Sequence, residues 1–371
     1  MRLKVSECAA LHWEAGQLVW DDYLDHQQFG LTEQGEMICR AFCRWTDPKE
    51  LVARFPIESR DRTRGLIDAL VEHGVLIIKG SRRHRQEMAL LNGWMSWGAA
   101  ARHYHYSSRT LASTPYVVLA DDYERLRLKA VHDPPPNPYP AIDGGDFVPL
   151  PSPDLATAST QLTFKAVLTA RRTTRRFSGE PMSREALGAL LAASCGPSPT
   201  RHRTDNDRRY GNVFKAYPSG GARHPLEVFV HVNRVPAIRR GFYHYAPLRS
   251  GLEALGRAWP SRKLIDSVGG QAWMADASVV LYYVAVLDRV RWKYDFGRMY
   301  RIVLLDLGHL SQTVYLVGAA LGLGVAFTAA TRDEPIEMAL RCRPHHDIVL
   351  GATAVGVKET DDAVAGAFVP M

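Results

Sequence analysis

Apolar and polar positions recur with different periods along the chain, and the changes of period divide it. From Leu31 to Ile78 the spacing is helical. Thr32 offers an N-cap to a helix carrying Met37, Ile38, Ala41 and Phe42, and Asp47-Pro48-Lys49-Glu50 starts a second with proline at its first position. A third helix is predicted from about Arg62 to His73, stopped by Gly74 and followed by the strand-like Val75-Leu76-Ile77-Ile78. Three short helices and a terminal strand predict a winged-helix-like module over residues 1–90.

Residues 91–160 lose this regularity. They begin with an aromatic and histidine-rich patch (Trp94, Trp97, His103, Tyr104, His105, Tyr106) and pass through eight prolines between Pro134 and Pro153, which enforce extended chain. A connecting or wrapping arm is expected there. Beyond it, helices are predicted at Leu162–Ala170, Ser183–Ser194, Leu252–Leu255, about Arg301–Leu321 and Glu334–Cys342. Strands are predicted at Val228–Val232, Phe242–Tyr245, Ala277–Val286, Val325–Thr328 and Ile348–Val357. Interleaved in this way they make an α+β sandwich over residues 161–371. The uncharged stretch from Leu310 to Thr331 is long enough to span a membrane, and Gly318 and Gly322 have GxxxG spacing. Gly322 and Gly324 interrupt it, however, so a buried core helix followed by a strand is expected, with no membrane.

Length agrees with more than one domain, since 371 residues exceed what one core usually organises, although a single large α/β domain competes. With 46% apolar and 23% charged residues the chain is ordinary globular material. Its net charge of +7 is more informative, because residues 161–215 hold eleven basic and four acidic residues and carry all of it. That concentration argues against a protein that coats nucleic acid, and points to a local anion site or a solvated basic surface. Five scattered cysteines make no disulfide framework and suit a reducing cytoplasm. Cys39 and Cys43, His103 and His105 lack the partners of a metal site, and Cys195 is read as packing. The N-terminus has acidic and polar residues where a signal peptide needs an apolar run.

Three motifs carry chemistry. Arg171-Arg172-Thr173-Thr174-Arg175-Arg176-Phe177 combines guanidinium forks with hydroxyls, a donor set suited to a phosphomonoester, though arginine-rich helix ends are common. Pro218-Ser219-Gly220-Gly221-Ala222-Arg223-His224-Pro225 lets backbone approach a flat ligand or forms a tight structural turn. Neither a dinucleotide-binding nor a P-loop signature occurs. Lys293 and Tyr294 have ordinary pKa values near 10 and can serve one reacting centre only where the backbone leaves the helix, which Asp295 and Gly297 allow.

In this order the motifs resemble the SagB-type azoline dehydrogenases (McbC-like thiazole/oxazole oxidases) of the nitroreductase superfamily. The basic pair Arg171 and Arg172 with Thr173, Arg175 and Phe177 matches the phosphate signature. Pro218 to Glu227 matches the P-S-[AG]-G-A-R-x-P-L-E stretch, Lys293 and Tyr294 match the Lys-Tyr pair, and Tyr300 to Gln312 matches a downstream block ending in G-H-L-x-Q. A late basic pair of many nitroreductases is reduced here to Lys358, which receives no role.

The resemblance implies an FMN-dependent α/β sandwich behind a small winged-helix-like domain that in related systems binds a leader peptide. FMN would be held by Arg171, Arg172, Thr173, Arg175, Pro218, Ser219, Gly220 and Gly221. The implied activity is conversion of a peptide- or carrier-bound thiazoline or oxazoline to the azole. Tyr294 would be the base and Lys293 its electrostatic support, with the reverse equally allowed. A homodimer and a cyclodehydratase partner are implied as well. Rival readings are an NAD(P)H-dependent nitro or quinone reductase, a related flavoenzyme doing another natural-product oxidation, and, outside enzymes, a winged-helix peptide- or DNA-binding regulator.

Overall fold

The computed structural model describes residues 1–112, 114, 119–141, 145–151 and 163–359, so Leu162 and Pro153 lie outside the described residues. The chain packs as two compact units, residues 1–115 and 116–371.

In the first unit, β1 (Leu3–Val5) pairs antiparallel with β5 (Leu76–Ile78), and between them lies a meander of β2 (Ala9–Glu14), β3 (Gln17–Asp22) and β4 (Gln27–Leu31). The three expected helices follow at Glu33–Ala41, Pro48–Val52 and Arg60–Glu72, and their core is Leu3, Ile38, Phe42, Ile67 and Leu76. Thr32 accepts from the Gly35 amide at 3.1 Å and Asp47 from the Lys49 amide at 2.9 Å, so both predicted caps close the orphan donors of a helix start. The meander gave no sequence signal. β2 is exposed along most of its length, so no hydrophobic alternation marks it, and its turn is built from Ala15 and Gly16, both at positive φ.

The stretch 91–160 is not one arm. Its aromatic start belongs to the first unit: Trp94 caps helix Arg82–Gly93, Trp97 ends the turn Met95–Trp97, and the rest lie in helix Gly98–Ser107. His103 there lies 3.0 Å from Asp21 Oδ2, and His105 stacks on Trp94. Helix Leu119–His132 and strand β6 (Phe147–Pro149) belong to the second unit. The prolines between them impose extended chain but do not separate domains.

The second unit is built on one antiparallel sheet in the order β11-β12-β10-β7-β8-β9-β6. Its remaining strands are β7 (Leu226–Val232), β8 (Gly241–Ala246), β9 (Gly251–Arg257), β10 (Val279–Val286), β11 (Gly324–Thr328) and β12 (Asp347–Gly356). β7 and β10 are buried on both faces, so β10 reads as a continuous apolar run and β7 as one broken only by Glu227 and His231. Leu226, Val228 and Val230 face helix Arg184–Cys195 and the long helix Met299–Ala320, whereas Phe229 joins Phe242, Tyr282 and Ile336 on the other face. Each fully buried side chain of this size contributes about 1.5–3 kcal/mol.

One predicted element has the wrong type: Leu252–Leu255 is strand, not helix. The turn Pro247–Arg249 and Ser250, at φ 48°, send the chain straight back so that Leu252 pairs with Tyr245. An apolar run of four residues is too short to reveal its period. The long helix has the length and composition of a membrane span, but it lays Val303, Leu307, Leu310 and Val314 in the core, and β11 follows it as expected.

Candidate functional site

The Arg171–Phe177 run leaves helix Phe164–Ala170 and lies along β11. Thr173 bridges to Val325, and the Thr174 amide donates to the Val325 carbonyl at 2.9 Å. The backbone is therefore fixed while the side chains stay outward. Arg172, Thr173 and Arg175 are exposed, and among the described residues Arg171, Arg172 and Arg175 have no acidic partner. Thr173 Oγ1 is 3.3 Å from the Tyr315 hydroxyl, and the Arg171 guanidinium sits over the Tyr315 ring. Lys358 pairs with Phe177 across an antiparallel bridge, and its stem and Thr174 both crowd the space beside Gly324. The late basic residue thus meets the early run in space, a convergence invisible in sequence.

The Pro218–Gly221 turn is held from below by one carboxylate. Asp306 accepts from Ser219 Oγ at 2.5 Å and from the Gly220 amide at 3.1 Å, and Ser219 Oγ accepts from the His224 amide at 2.8 Å. Burial pushes the Asp306 carboxyl up, against the hydrogen bonds from Ser219 and Gly220. Sequence reasoning gave Asp306 no role of its own. The available signal was its position, as the one carboxylate of the long helix and on the same stripe as Val303 and Leu310. Nine helical residues, about 13 Å, separate Asp306 from Tyr315, so this helix spaces the glycine turn from the basic run.

Gly221 has φ 62°, and a Cβ there would lie 2.3 Å from the Tyr294 hydroxyl; a Cβ on Gly220 would lie 2.3 Å from Ile302 Cγ2. Both glycines are required by close approach, as well as by backbone conformation at Gly221. The turn and the Lys-Tyr pair are brought together in this way. Helix Leu287–Lys293 ends at Lys293, and Tyr294 is extended, at φ −131° and ψ 122°. The break folds the Lys293 ammonium to 5.3 Å from the Tyr294 ring centroid, the irregular backbone that a shared centre needs.

Helix Leu119–His132 clasps the same segment: Arg125 donates to the Lys293 carbonyl at 2.8 Å and Lys129 to the Trp292 carbonyl at 2.7 Å. Burial lowers the Lys293 pKa, and the positive charge of Arg223 lowers it further. Burial and the Asp122 carboxylate raise that of Tyr294, with Arg223 opposing.

The last residue of the glycine stretch, Glu227, turns to the opposite face of the sheet. It meets Arg289 at 2.5 Å and His244 at 2.8 Å, and His244 also meets Glu253 at 2.9 Å. Arg201, Arg203, Arg208 and Arg209 fall outside the Arg171–Phe177 turn, around helix Asp205–Arg209, which Thr204 and Asp207 close with a capping box. Cys195 is buried, and burial pushes its thiol up to about 11, as a packing residue requires.

The sheet and its flanking helices define the class. A solved nitroreductase structure from Anabaena variabilis shares the fold at a TM-score of 0.52 and 21% identity, over 70% of this chain and 47% of that one. The chain belongs to the nitroreductase family, an oxidoreductase family whose model matches residues 168–357, just over half of it. A nitroreductase relative from Methanocaldococcus jannaschii is 29% identical over 54% of this chain and 93% of its own. The trifolitoxin-processing protein of Rhizobium leguminosarum bv. trifolii is 29% identical over 41% of this chain, and the microcin B17-processing protein of Escherichia coli is 31% identical over 30%. The match spans 43% of the length of each of these two processing proteins.

Proposed function

We propose that this chain is an FMN-dependent dehydrogenase that converts thiazoline or oxazoline rings in a peptide to thiazoles or oxazoles. It would act in the cytoplasm as a homodimer, beside a cyclodehydratase that makes the ring. The observation that carries the reading is the Lys293-Tyr294 pair, folded together at a helix end and seated against Gly221. A simple nitro or quinone reductase has no use for such a pair. The two relatives named for processing trifolitoxin and microcin B17 support a peptide substrate. Exposed Tyr300, Leu304 and Leu305 on the long helix supply apolar surface for a second copy.

The donor set suits FMN. Arg171, Arg172, Thr173 and Arg175 would hold the phosphate with their outward guanidinium and hydroxyl groups, and the Pro218–Gly221 turn would lie against the ring. FMN, when bound, supplies the acceptor for the hydride lost from the heterocycle. The chain supplies the proton chemistry. Lys293, lowered by burial and Arg223, lies nearer neutrality and takes the proton from the α-carbon; Tyr294, raised, keeps its own and donates a hydrogen bond to the ring nitrogen. These directions favour the reverse of the assignment preferred from sequence. Asp306 keeps the turn in place, and Arg223 supplies the charge that biases Lys293.

The test is a visible spectrum of the purified chain with FMN, followed by turnover of a thiazoline peptide. Flavin uptake and azole formation are expected. No uptake overturns the reading, and flavin uptake with NAD(P)H-driven nitro reduction but no azole assigns the chain to the plain reductases.

A further inference from the structure

The second basic cluster lines a cavity of its own. About 930 Å³ of space lies between the end of helix Arg184–Cys195, the segment 196–216 and the turn after β8, with Arg201, His202, Arg203 and Arg208 on its wall beside Tyr139 and Phe214. Among the described residues, no acidic one lines it. Two carboxylates lie close to the wall: Asp207 accepts from Thr204 and Asn212, and the exposed Asp205 faces Arg208 at 3.5 Å, which leaves Arg201 and Arg203 to carry the site. Arg201 lies over Phe214, its guanidinium carbon 3.7 Å from the ring centroid, so its fork is held in place. Arg203 makes a long contact of 3.4 Å to the Asp207 carbonyl and leaves its buried Nε without a partner, a cost that an incoming anion would remove.

The cavity is also tied to the reacting centre. Pro197 and Lys215 pair across the base of the segment, and the Val213 amide, next to Phe214, donates to the Ala222 carbonyl at 2.9 Å. Ala222 follows Gly221, against which Tyr294 rests. Phe214, Val213, Ala222 and Gly221 thus link the cavity wall to Tyr294 through one hydrogen bond and two peptide bonds.

We infer that the Arg201–Arg208 cavity binds a glutamate- or aspartate-bearing segment of the peptide, a few residues from the ring that is oxidised. Calling that peptide the substrate rests on the function proposed above; the binding itself does not. Arg203, with its buried Nε unsatisfied, and Arg201, stacked on Phe214, present guanidinium forks in a pocket with aromatic walls, the group that recognises carboxylates by paired hydrogen bonds and charge. The remaining excess charge of residues 161–215 thereby acquires a ligand.

The experiment is a calorimetric titration of the full chain, with and without FMN, using acetyl-tetraglutamate amide as the probe and acetyl-tetraglutamine amide beside it. Saturable binding of the acidic peptide alone is expected, several-fold weaker when salt rises from 50 to 200 mM, as ~8–10 Å screening lengths require. Arg201→Gln with Arg203→Gln should weaken it at least tenfold. Arg203→Lys should retain most of it, and Arg209→Gln, outside the cavity wall, should change it less than twofold. Undiminished binding in the double variant with an unchanged melting midpoint overturns the inference. So does equal binding of inorganic phosphate or tetraglutamine. The readout needs neither flavin nor turnover, so failure of FMN uptake would sink the proposed function and leave this result standing.

Discussion

Two clusters of ionisable groups sit almost on top of one another in sequence and face opposite sides of the sheet. Glu227, His244, Glu253 and Arg289 are all nearly inaccessible, and every charge in this cluster meets an opposite one within 3 Å. Lys293, only four residues beyond Arg289, is half-buried, and its nearest cations lower its pKa instead of stabilising its charge. The first cluster has its charges paired, although Arg289 keeps buried Nε and Nη2 atoms without hydrogen-bond partners. The second holds an ammonium in an unfavourable setting against a tyrosine that is itself shifted. Burial of a paired charge does not mark a candidate site; a half-buried ammonium whose nearby cations outweigh Asp122 does.

The comparison breaks first on stability. Glu227→Ala leaves the Arg289 charge buried and unpaired and strips His244 of one of its two carboxylates, so a loss of about 3–5 kcal/mol is expected by denaturant unfolding. Lys293→Met should leave stability within about 0.5 kcal/mol, because its site is only half-buried and holds no pair. Glu227 also gives the network an acid limit. Burial opposes its ionisation, but Arg289 and His244 hold it down at about 2, against 4.5 when free. Its contribution is present above pH 4.5 and lost as pH falls toward 2, and Glu227→Gln should flatten stability over that window. Equal destabilisation by the Glu227 and Lys293 variants would erase the distinction.

Activity should show the opposite ranking. Lys293→Met should cut azole formation about 10²–10³-fold with FMN still bound, in the range of a lost general base. In the unaltered chain kcat/KM should rise with pH, as Lys293 loses its proton, along a limb lying below the ordinary lysine value of about 10.4. That limb should vanish in the variant. A profile unchanged by the substitution would return the role of base to Tyr294.

The paired cluster was the less legible of the two. Its members come from β7, β8, β9 and the start of helix Leu287–Lys293, and nothing in their local sequence says that they converge. The basic run, the glycine turn and the Lys-Tyr pair stood out in sequence because each is a short contiguous run whose residue types suggest a chemistry, and the fold class was readable because β7 and β10 are long buried runs. Asp306 and Lys358 were not, since their meaning lies in contacts to a turn and a strand end far away in sequence. The β2–β4 meander and β9 escaped for a different reason: one is too exposed and the other too short for a period to show.

The basic run extends the comparison to the cofactor. Arg171→Gln with Arg175→Gln removes two charged donors that have no acidic partner among the described residues, so folding should hardly respond while FMN affinity falls about tenfold to a hundredfold by fluorescence titration, at about 1.5–3 kcal/mol per charged bond before non-additivity. Equal weakening by Arg201→Gln and Arg203→Gln would merge the two basic clusters that the structure separates.

The smallest expected effect is the most local. Gly221→Ala introduces a side chain at φ 62°, costing about 1–2 kcal/mol of backbone strain. It also sets a methyl 2.3 Å from the Tyr294 hydroxyl, which must move. The turn itself stays anchored through Ser219 and Gly220 on Asp306, so FMN affinity should change little while turnover falls. Gly220→Ala meets Ile302 instead of Tyr294 and presses on the long helix. Its cost should therefore appear in the unfolding midpoint more than in turnover for each bound flavin. If the two alanine variants lose turnover equally with flavin bound, contact between Tyr294 and the turn is not what positions the pair.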